Sequence, residues 1–224
     1  MDLDTLTYDT DGAQRFPGAA ADSLVALRAI LTDLPTEQAG VRFQGLGQLG
    51  RFLAADGVIG SVAASVLGPN ARPVRAVLFD KTATTNWSLG WHQDRTICVQ
   101  RRVETDGFGP WSVKAGMQHV APPSSILARM VTLRVHLDDV SADNAPLLIA
   151  PGSHLEGRVA VNAIDAVVRR HGTVACLADA GDIWLYATLI LHASDAATRP
   201  QRRRVLQLDY ACEDLPGELE WLGV

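Results

Sequence analysis

The sequence predicts a mainly β protein, a two-sheet jelly roll backed by helices from an N-terminal lead. Apolar residues recur at helical spacing in the first seventy positions. From Pro73 almost to the end, short segments alternate between apolar and polar residues. No internal repeat, low-complexity tract or linker divides the 224 residues. We therefore expect one domain over residues 1–224, with a helical lead over 1–70 and a jelly-roll core over about 73–212.

Two helices are predicted in the lead. The first is indicated by four apolar residues at helical spacing, Leu24, Leu27, Ile30 and Leu31. Asp22 or Ser23 can cap its start, and Pro35 should end it. A glycine-rich stretch then separates this helix from a second one, predicted over about residues 51–67.

Two segments in the second part of the chain alternate with the period of a strand. In the first, Val131, Leu133, Val135 and Leu137 oppose Thr132, Arg134 and His136; in the second, Leu206, Leu208 and Tyr210 oppose Arg203, Gln207 and Asp209. The segment PVRAVLFDK predicts a further strand that ends at Lys81, and a helix is expected over about residues 162–170, ended by Gly172. Such alternation fits a sheet between helices and a polar cavity, and equally a sheet with one face in water.

Composition narrows the class of protein. A 47% hydrophobic and 20% charged content is ordinary for a globular domain, and a net charge of −5 argues against nucleic-acid or membrane-surface partners. Cys98, Cys176 and Cys212 form no CxxC pair, which indicates neither disulfides nor a zinc knuckle. Without a signal peptide or an apolar run of about 18 residues, we expect a soluble cytoplasmic protein. The sequence leaves its oligomeric state open.

The motif WHQDR places His92 and Asp94 two residues apart, on the same side of extended backbone, while Gln93 should point to the opposite side. Another histidine, His192, ends the apolar segment WLYATLIL. Two histidines and one carboxylate form the facial triad of non-heme Fe(II) oxygenases. The spacing His-x-Asp alone is weak support, because histidines in strands more often serve structure.

Arg203 and Ser194 add to this pattern. A metal with three protein ligands keeps open positions that a chelating keto acid can fill. The far carboxylate of that acid would be buried and would need a guanidinium with a hydroxyl beside it. Arg203 and Ser194 are of these types, and the neighbouring Arg202 or Arg204 could take the place of Arg203.

Four segments and an arginine, in this order, resemble the phytanoyl-CoA dioxygenase family of Fe(II)/2-oxoglutarate oxygenases. They are WHQD at 91–94, DNAPLLIAPGSH at 143–154, AGDIWL at 180–185, HAS at 192–194, and Arg203 eleven residues after His192. The resemblance covers roughly residues 75–210 and implies a double-stranded β-helix, the cupin-like jelly roll. The sequence departs from the family pattern at two positions. Ala145 follows Asn144 where the family commonly has glycine, and Ala197 stands where the family often has asparagine.

The resemblance also implies roles for individual residues. His92, Asp94 and His192 would be the catalytic iron ligands. Arg203 would bind the C5 carboxylate of 2-oxoglutarate with Ser194 beside it. Three further residues would contact the cosubstrate or line its pocket: Lys81, Asn86 and Arg134.

The implied activity uses Fe(II), 2-oxoglutarate and O₂ to hydroxylate a C–H bond of a small molecule, with release of succinate and CO₂. A halogenase of related fold has no carboxylate at this metal coordination position, which is left free for halide. The presence of Asp94 therefore favours a hydroxylase. Two other classes stay open: a cupin-like isomerase or hydrolase using Mn, Ni or Zn, and a catalytically silent jelly-roll binding module. Basic residues near the triad segments fit either an anionic substrate or a solvated surface: Arg95, Arg101, Arg102, Lys114 and Arg129.

The remaining histidines receive structural interpretations or weaker functional ones. His154 in PGSH is expected to be a hydrogen-bonding turn residue, and His171 a residue at a helix end. His119 fits either the substrate entrance or a plain loop, and His136 shares a strand face with Arg134 and could approach the pocket. We expect Cys98 to be a small buried hydrophobe.

Overall fold

The computed structural model describes residues 3–35, 38 and 40–224, so residues 1, 2, 36, 37 and 39 of the predicted lead lie outside the described residues. The helices are α1 (Tyr8–Asp11), α2 (Leu24–Ile30), α3 (Gly50–Leu53), α4 (Gly60–Leu67), α5 (Ser124–Leu127) and α6 (Ile164–His171). The strands are β1 (Ala13–Phe16), β2 (Gly40–Phe43), β3 (Arg72–Lys81), β4 (Leu89–His92), β5 (Ile97–Val99), β6 (Trp111–Lys114), β7 (Met117–Val120), β8 (Val131–His136), β9 (Leu147–Ile149), β10 (Val174–Cys176), β11 (Ile183–Ala187), β12 (His192–Ser194) and β13 (Arg203–Ala211).

Two antiparallel sheets form the predicted jelly roll. The six-stranded sheet has the order β1-β11-β8-β13-β3-β2, and the four-stranded sheet has the order β10-β9-β12-β4. A third sheet, β5-β7-β6, is a smaller addition. Trp184 and Tyr186 of the large sheet pack with Leu147 and Ile149 of the smaller one, so the two sheets share a buried interior.

The outer face of the six-stranded sheet is an apolar core covered by helices. Leu133, Leu206 and Leu208 are fully buried there against Leu27 of α2 and Leu53 of α3. Full burial of each such side chain contributes about 1.5–3 kcal/mol. These residues occupy the apolar face that the alternation predicts.

The inner face of the same sheet is polar but equally enclosed. Thr132, Arg134, Gln207 and Asp209 are all buried. The alternation therefore reflects helices on one side and a cavity on the other, and the interpretation of one face in water is wrong.

The lead is less helical than predicted. It contains β1 and β2, which pair with β11 and β3 and form the two edges of the six-stranded sheet. Each has only four residues, too few for a period of two to stand out beside the helical pattern around it.

The predicted first helix is found, with shorter bounds. α2 starts at Leu24 and buries Leu27, but Ser23 at its start makes no side-chain cap hydrogen bond, so the predicted capping by Asp22 or Ser23 is wrong. The helix ends at Ile30, well before Pro35.

The predicted second helix is two short helices, α3 and α4. The chain turns sharply between them, and Ile59 N–H donates to the Phe52 carbonyl at 2.9 Å. A Cβ at Gly57 would lie 2.4 Å from the Arg51 carbonyl oxygen, and one at Gly60 would lie 1.9 Å from that of Ala54. Glycine at both positions permits this close approach.

Two predicted boundaries match the structure. β3 ends at Lys81, and α6 ends at His171 with Gly172 in a positive-φ conformation at 77°. Helices in the described part of the chain are short, and none has the length and apolarity needed to cross a bilayer.

Candidate metal and cosubstrate site

Two neighbouring strands bring the predicted ligands together. β4 and β12 pair antiparallel with His92 directly opposite His192, and their ring centroids are 4.2 Å apart. Asp94 follows two residues after the last residue of β4. One ligand atom from each of the three lies within 4.8 Å of the others. We call these three residues the metal triad; two imidazoles and a carboxylate suit an octahedral first-row metal with open positions.

Backbone carbonyls orient both imidazoles. His92 Nδ1 lies 2.8 Å from the Gly90 oxygen, and His192 Nδ1 lies 3.0 Å from the Ile190 oxygen. A carbonyl can only accept, so each Nδ1 carries the proton and each Nε2 keeps its lone pair for a metal. Burial lowers the pKa of His192 to about 4, so this imidazole is neutral at pH 7, as a metal ligand has to be.

An ion pair inside the sheet supports Asp94, the third residue of the metal triad. Arg75 on β3 places Nη2 3.5 Å from Asp94 Oδ2 and Nε 2.5 Å from Asp209 Oδ2. Thr132 Oγ1 donates to Asp209 at 3.2 Å. Burial alone would raise the pKa of Asp94, but the charge of Arg75 and, after it, those of His192, His92 and Arg134 together more than offset it, so the pKa of Asp94 is lowered. Asp94 therefore stays a carboxylate.

Sequence reasoning missed Arg75. The sequence feature that could have identified it is its position in the strand segment PVRAVLFDK. Arg75 lies at intervals of two residues from Val77, Phe79 and Lys81, on the same strand face. That spacing places it on the cavity face, where a buried guanidinium needs a carboxylate partner.

Three buried cations lie on adjacent strands of the six-stranded sheet, and we call Lys81, Arg134 and Arg203 the inner cations. Lys81 pairs in register with Arg203, and Arg134 lies on β8 beyond β13. Arg203 is 2% exposed and Lys81 4%. Within the described ranges, no carboxylate lies within 4 Å of any of the three.

The inner cations are held by neutral groups. Arg134 Nη1 donates to Gln207 Oε1 at 3.0 Å, and Lys81 Nζ donates to the Trp87 carbonyl at 2.7 Å. The Nε atoms of Arg134 and Arg203 are buried without a hydrogen-bond partner among the described residues. Burial, and then the charges of Arg203 and Arg134, lower the pKa of Lys81 to about 8. Buried cations without counter-ions indicate a site for an anion.

Ser194 connects the inner cations to the metal triad. It lies two residues after His192, and its Oγ is 3.3 Å from Lys81 Nζ. Ser194 Oγ and Arg203 Nη1 both donate to the carbonyl of Ala145. Ala145 has φ of 52°, the left-handed conformation, at the position where the family pattern commonly has glycine. That conformation costs a non-glycine residue roughly 1–2 kcal/mol.

The triad and the inner cations line a single cavity of about 590 Å³. Seven of the eight predicted site residues line it: His92, Asp94, His192, Ser194, Lys81, Arg134 and Arg203. Asn86 does not, because its amide exchanges two hydrogen bonds with the backbone of Ala197, at 2.9 and 2.6 Å. Its contact with the cosubstrate stays a prediction that this geometry does not support.

The neighbouring arginines are not alternatives to Arg203. Arg202 Nη2 lies 2.9 Å from Asp80, and Arg204 Nη2 lies 2.7 Å from Asp138. Neither lines the cavity of the metal triad. Strand alternation explains this, because Arg203 points inward and both its neighbours point outward.

The other histidines lie outside the cavity lining. His119 is fully buried, with Nε2 3.0 Å from Cys98 Sγ, so neither a substrate entrance nor a plain loop describes it. Cys98 is buried as predicted, and His136 is buried on β8 without reaching the cavity surface. His171 ends α6 and bonds to the Pro151 carbonyl.

His154 and Gln93 complete the predicted set. His154 lies in a turn, where its carbonyl accepts a hydrogen bond from Gly157 N–H at 3.2 Å, but its buried Nδ1 has no hydrogen-bond partner in the described structure. Gln93 is buried and bonds to the backbones of Gly157, Leu189 and Val159. It thereby fixes the loop that carries Asp94.

The fold and the donor set define a jelly-roll protein with a mononuclear metal site. The family model described as Phytanoyl-CoA dioxygenase (PhyH) matches residues 49–205, and the chain belongs to this family. No curated protein is similar enough in sequence to match.

Solved structures share the fold at low sequence identity. EctD from S. alaskensis with 2-oxoglutarate and 5-hydroxyectoine is 19% identical over 91% of this chain and 73% of its own, with a TM-score of 0.64. HygX from Streptomyces hygroscopicus with nickel and 2-oxoglutarate is 17% identical over 94% and 87%, with a TM-score of 0.61. SnoK, a non-heme α-ketoglutarate-dependent carbocyclase from nogalamycin biosynthesis, is 17% identical over 96% and 87%, with a TM-score of 0.64.

Proposed function

We propose that this chain is an Fe(II)- and 2-oxoglutarate-dependent oxygenase that hydroxylates a C–H bond of a small molecule. The observation that carries the proposal is the position of the inner cations beside the metal triad. Ser194 lies two residues from His192 and contacts Lys81, so an anion at the inner cations can extend to a metal at the triad. A dicarboxylate with a chelating end fits that arrangement.

The residues present fit both groups. His92 and His192 would hold the metal through Nε2 and Asp94 through its carboxylate, while Arg75 keeps Asp94 ionised. Arg203 and Ser194 would bind the C5 carboxylate of 2-oxoglutarate, and Lys81 and Arg134 add positive charge around it. When bound, Fe(II) with 2-oxoglutarate and O₂ supplies the oxidising chemistry, in which 2-oxoglutarate becomes succinate and CO₂.

Two alternatives use the same triad without 2-oxoglutarate. A cupin-like isomerase or hydrolase with Mn, Ni or Zn, or a silent binding module, gives no reason for three buried cations without carboxylates beside the triad. The carbocyclase among the structural relatives indicates that this fold also serves other oxidative outcomes. Product analysis separates those outcomes from hydroxylation.

Turnover of 2-oxoglutarate without a substrate tests the proposal. We expect the Fe(II)-loaded protein to release succinate slowly in air with ascorbate present. His92→Ala should abolish the release, and the surface variant Arg129→Gln should keep it. Wild-type protein that neither binds nor consumes 2-oxoglutarate, and that prefers another metal, would contradict the proposal.

A further inference from the structure

A second group of basic side chains lines the same cavity nearer its mouth. Arg42 lies on β2, Arg95 follows Asp94, and Lys114 is the last residue of β6. Arg42 and Arg95 are half-buried and Lys114 is exposed, in contrast to the buried inner cations. We call these three residues the mouth cations.

Among the described residues, the mouth cations have no acidic partner. In residues 3–35, 38 and 40–224, no carboxylate oxygen lies within 4 Å of their charged nitrogens. The Nε of Arg42 is buried and lacks a hydrogen-bond partner within the described structure. Arg95 Nη2 donates only to a neutral group, the Val159 carbonyl, at 2.9 Å.

The basic residues that, from the sequence, fit either an anionic substrate or a solvated surface divide into two sets. Arg101, Arg102 and Arg129 lie outside the cavity lining and pair with Glu218, Glu104 and Glu213 at 3.1, 2.5 and 2.9 Å. Arg95 and Lys114 line the cavity, and neither has such a partner in the part of the chain that the structure describes. The first set is explained as solvated surface ion pairs. That explanation does not apply to the second set or to Arg42.

Arg42 lies at a strand position well away from Lys81 and Arg203. Arg42 pairs in register with Val77 of β3. Val77 precedes Lys81 by four residues, so the backbone positions of Val77 and Lys81 are roughly 13 Å apart along the strand. β2 and β13 also lie on opposite sides of β3, so Arg203 is farther still. A carboxylate held by Arg203 therefore leaves Arg42 without a counter-ion.

Another part of the cavity mouth is apolar. Leu89 and Trp91 of β4 line it together with Val161 and Ile164, which precede and begin α6. Leu89 is 43% exposed and Val161 72%. Exposed apolar side chains at the rim of a cavity indicate a surface that a ligand covers.

Resting on the proposed function, we propose that the substrate is a small amphiphilic molecule with an oxyanion, a carboxylate or a phosphate. The oxyanion binds Arg42, Arg95 and Lys114. The apolar body lies against Leu89, Trp91 and Val161, which directs it past the metal triad. A cavity of about 590 Å³ must hold this molecule and the cosubstrate together, which restricts the substrate to a small one.

Calorimetric binding to the Mn(II)- and 2-oxoglutarate-loaded protein tests the proposal with matched probe pairs. The pairs are hexanoate with hexanamide, indole acetate with indole acetamide, and phenyl phosphate with its neutral dimethyl ester. We expect the anionic member of at least one pair to bind about tenfold more tightly, the effect of a charged hydrogen bond. The carboxylate and phosphate pairs show which oxyanion the site prefers.

Variants test whether the mouth cations cause the preference for the anionic probe. Arg42→Gln and Lys114→Gln should each lose most of it, and Arg129→Gln should retain it. Lys114 is exposed, so its variant should fold even where that of Arg42 does not. Anions that bind no better than their neutral partners in every pair, or a preference that survives in the Arg42→Gln, Lys114→Gln double variant, would overturn the proposal.

The same variants separate this proposal from the proposed function. Affinity for 2-oxoglutarate itself should be unchanged in Arg42→Gln and Lys114→Gln, because the inner cations are intact. Failure of wild-type protein to bind 2-oxoglutarate would contradict the oxygenase. In that case the probe pairs, measured with Mn(II) alone, would still decide whether the mouth cations bind anions.

Discussion

The two faces of the six-stranded sheet use the same strands for opposite purposes. On β13, Leu206 and Leu208 point outward into the helix-covered core, while Gln207 and Arg203 point inward to the cavity. All four are buried. The outer face adds to the free energy of unfolding, whereas the inner face encloses charges that the protein alone does not neutralise.

This difference teaches that burial alone does not identify a structural residue. Arg203 is as buried as the core leucines, yet its Nε has no partner in the described structure and its nearest charged neighbours are cations. Such a residue opposes folding unless a ligand satisfies it. We therefore expect outer-face changes to act on stability and inner-face changes to act on ligand binding.

Leu208→Ala should have the largest effect, on stability alone. Removing this fully buried side chain leaves a cavity in the core and should lower the free energy of unfolding by about 2–5 kcal/mol. Urea denaturation measures the change. Succinate release per folded molecule should stay at the wild-type rate, and a parallel loss of affinity for 2-oxoglutarate would show that the two faces are not separate in function.

Arg203→Gln should give the converse result. The variant loses the charged contacts to the cosubstrate carboxylate, so affinity for 2-oxoglutarate should fall about 10- to 100-fold. The free energy of unfolding without ligands should be unchanged or higher, because a buried unpaired cation is removed. Calorimetry and urea denaturation on the same samples check both parts; equal affinity in variant and wild type would rule out Arg203 as the cosubstrate partner.

The pH dependence of 2-oxoglutarate binding should reflect the titration of the Lys81 amine. Its pKa is about 8 in the folded protein, and a bound dianion favours the protonated amine. Affinity for 2-oxoglutarate should therefore fall about tenfold between pH 7 and pH 9. Lys81→Arg keeps its charge over this range and should bind with little pH dependence, whereas an equal fall in both proteins would assign the effect to another group.

Lys81 should also influence stability in the absence of ligands. Its pKa in the unfolded chain is near the ordinary value of 10.5, so between about pH 8 and that value the unfolded state binds more protons than the folded state. The contribution of Lys81 to the free energy of unfolding therefore rises with pH across this window and is lost as the pH falls through 8.

Ala145→Gly should have the smallest effect. Glycine relieves the left-handed conformation at φ of 52° but adds freedom to the unfolded chain, so a net stabilisation of about 0.5–1 kcal/mol is expected. Ala115→Gly, at φ of 50° in the turn between β6 and β7, is the matched control far from Arg203. Thermal unfolding measures both, and destabilisation at residue 145 alone would mean that the alanine methyl group has a packing role.

Much of the site could be predicted from the sequence because its residues are chemically specific and lie in recognisable segments. His92, Asp94 and His192 needed only their types and order, and the alternation of β13 placed Arg203 on the polar face. Asn86 shows the limit of resemblance, since the residue is present but its amide bonds to the backbone of Ala197.

The parts that could not be predicted depend on pairing between distant segments. Arg75 supports Asp94 and pairs with Asp209, which follows it by more than a hundred residues and meets it only when β3 and β13 pair. Arg42 belongs to β2, a strand too short to stand out within a helical lead. Sequence periodicity describes a segment by itself, whereas the cavity arises from the order of strands in the sheets.

The central claim is that the metal triad and the inner cations form one site for a metal and 2-oxoglutarate. A crystal structure of the protein with Mn(II) and 2-oxoglutarate, grown without oxygen, tests it most directly. We predict one metal bound by His92 Nε2, Asp94 and His192 Nε2, with the far carboxylate of 2-oxoglutarate on Arg203. A metal bound elsewhere, or 2-oxoglutarate with its far carboxylate away from Arg203, would contradict the account.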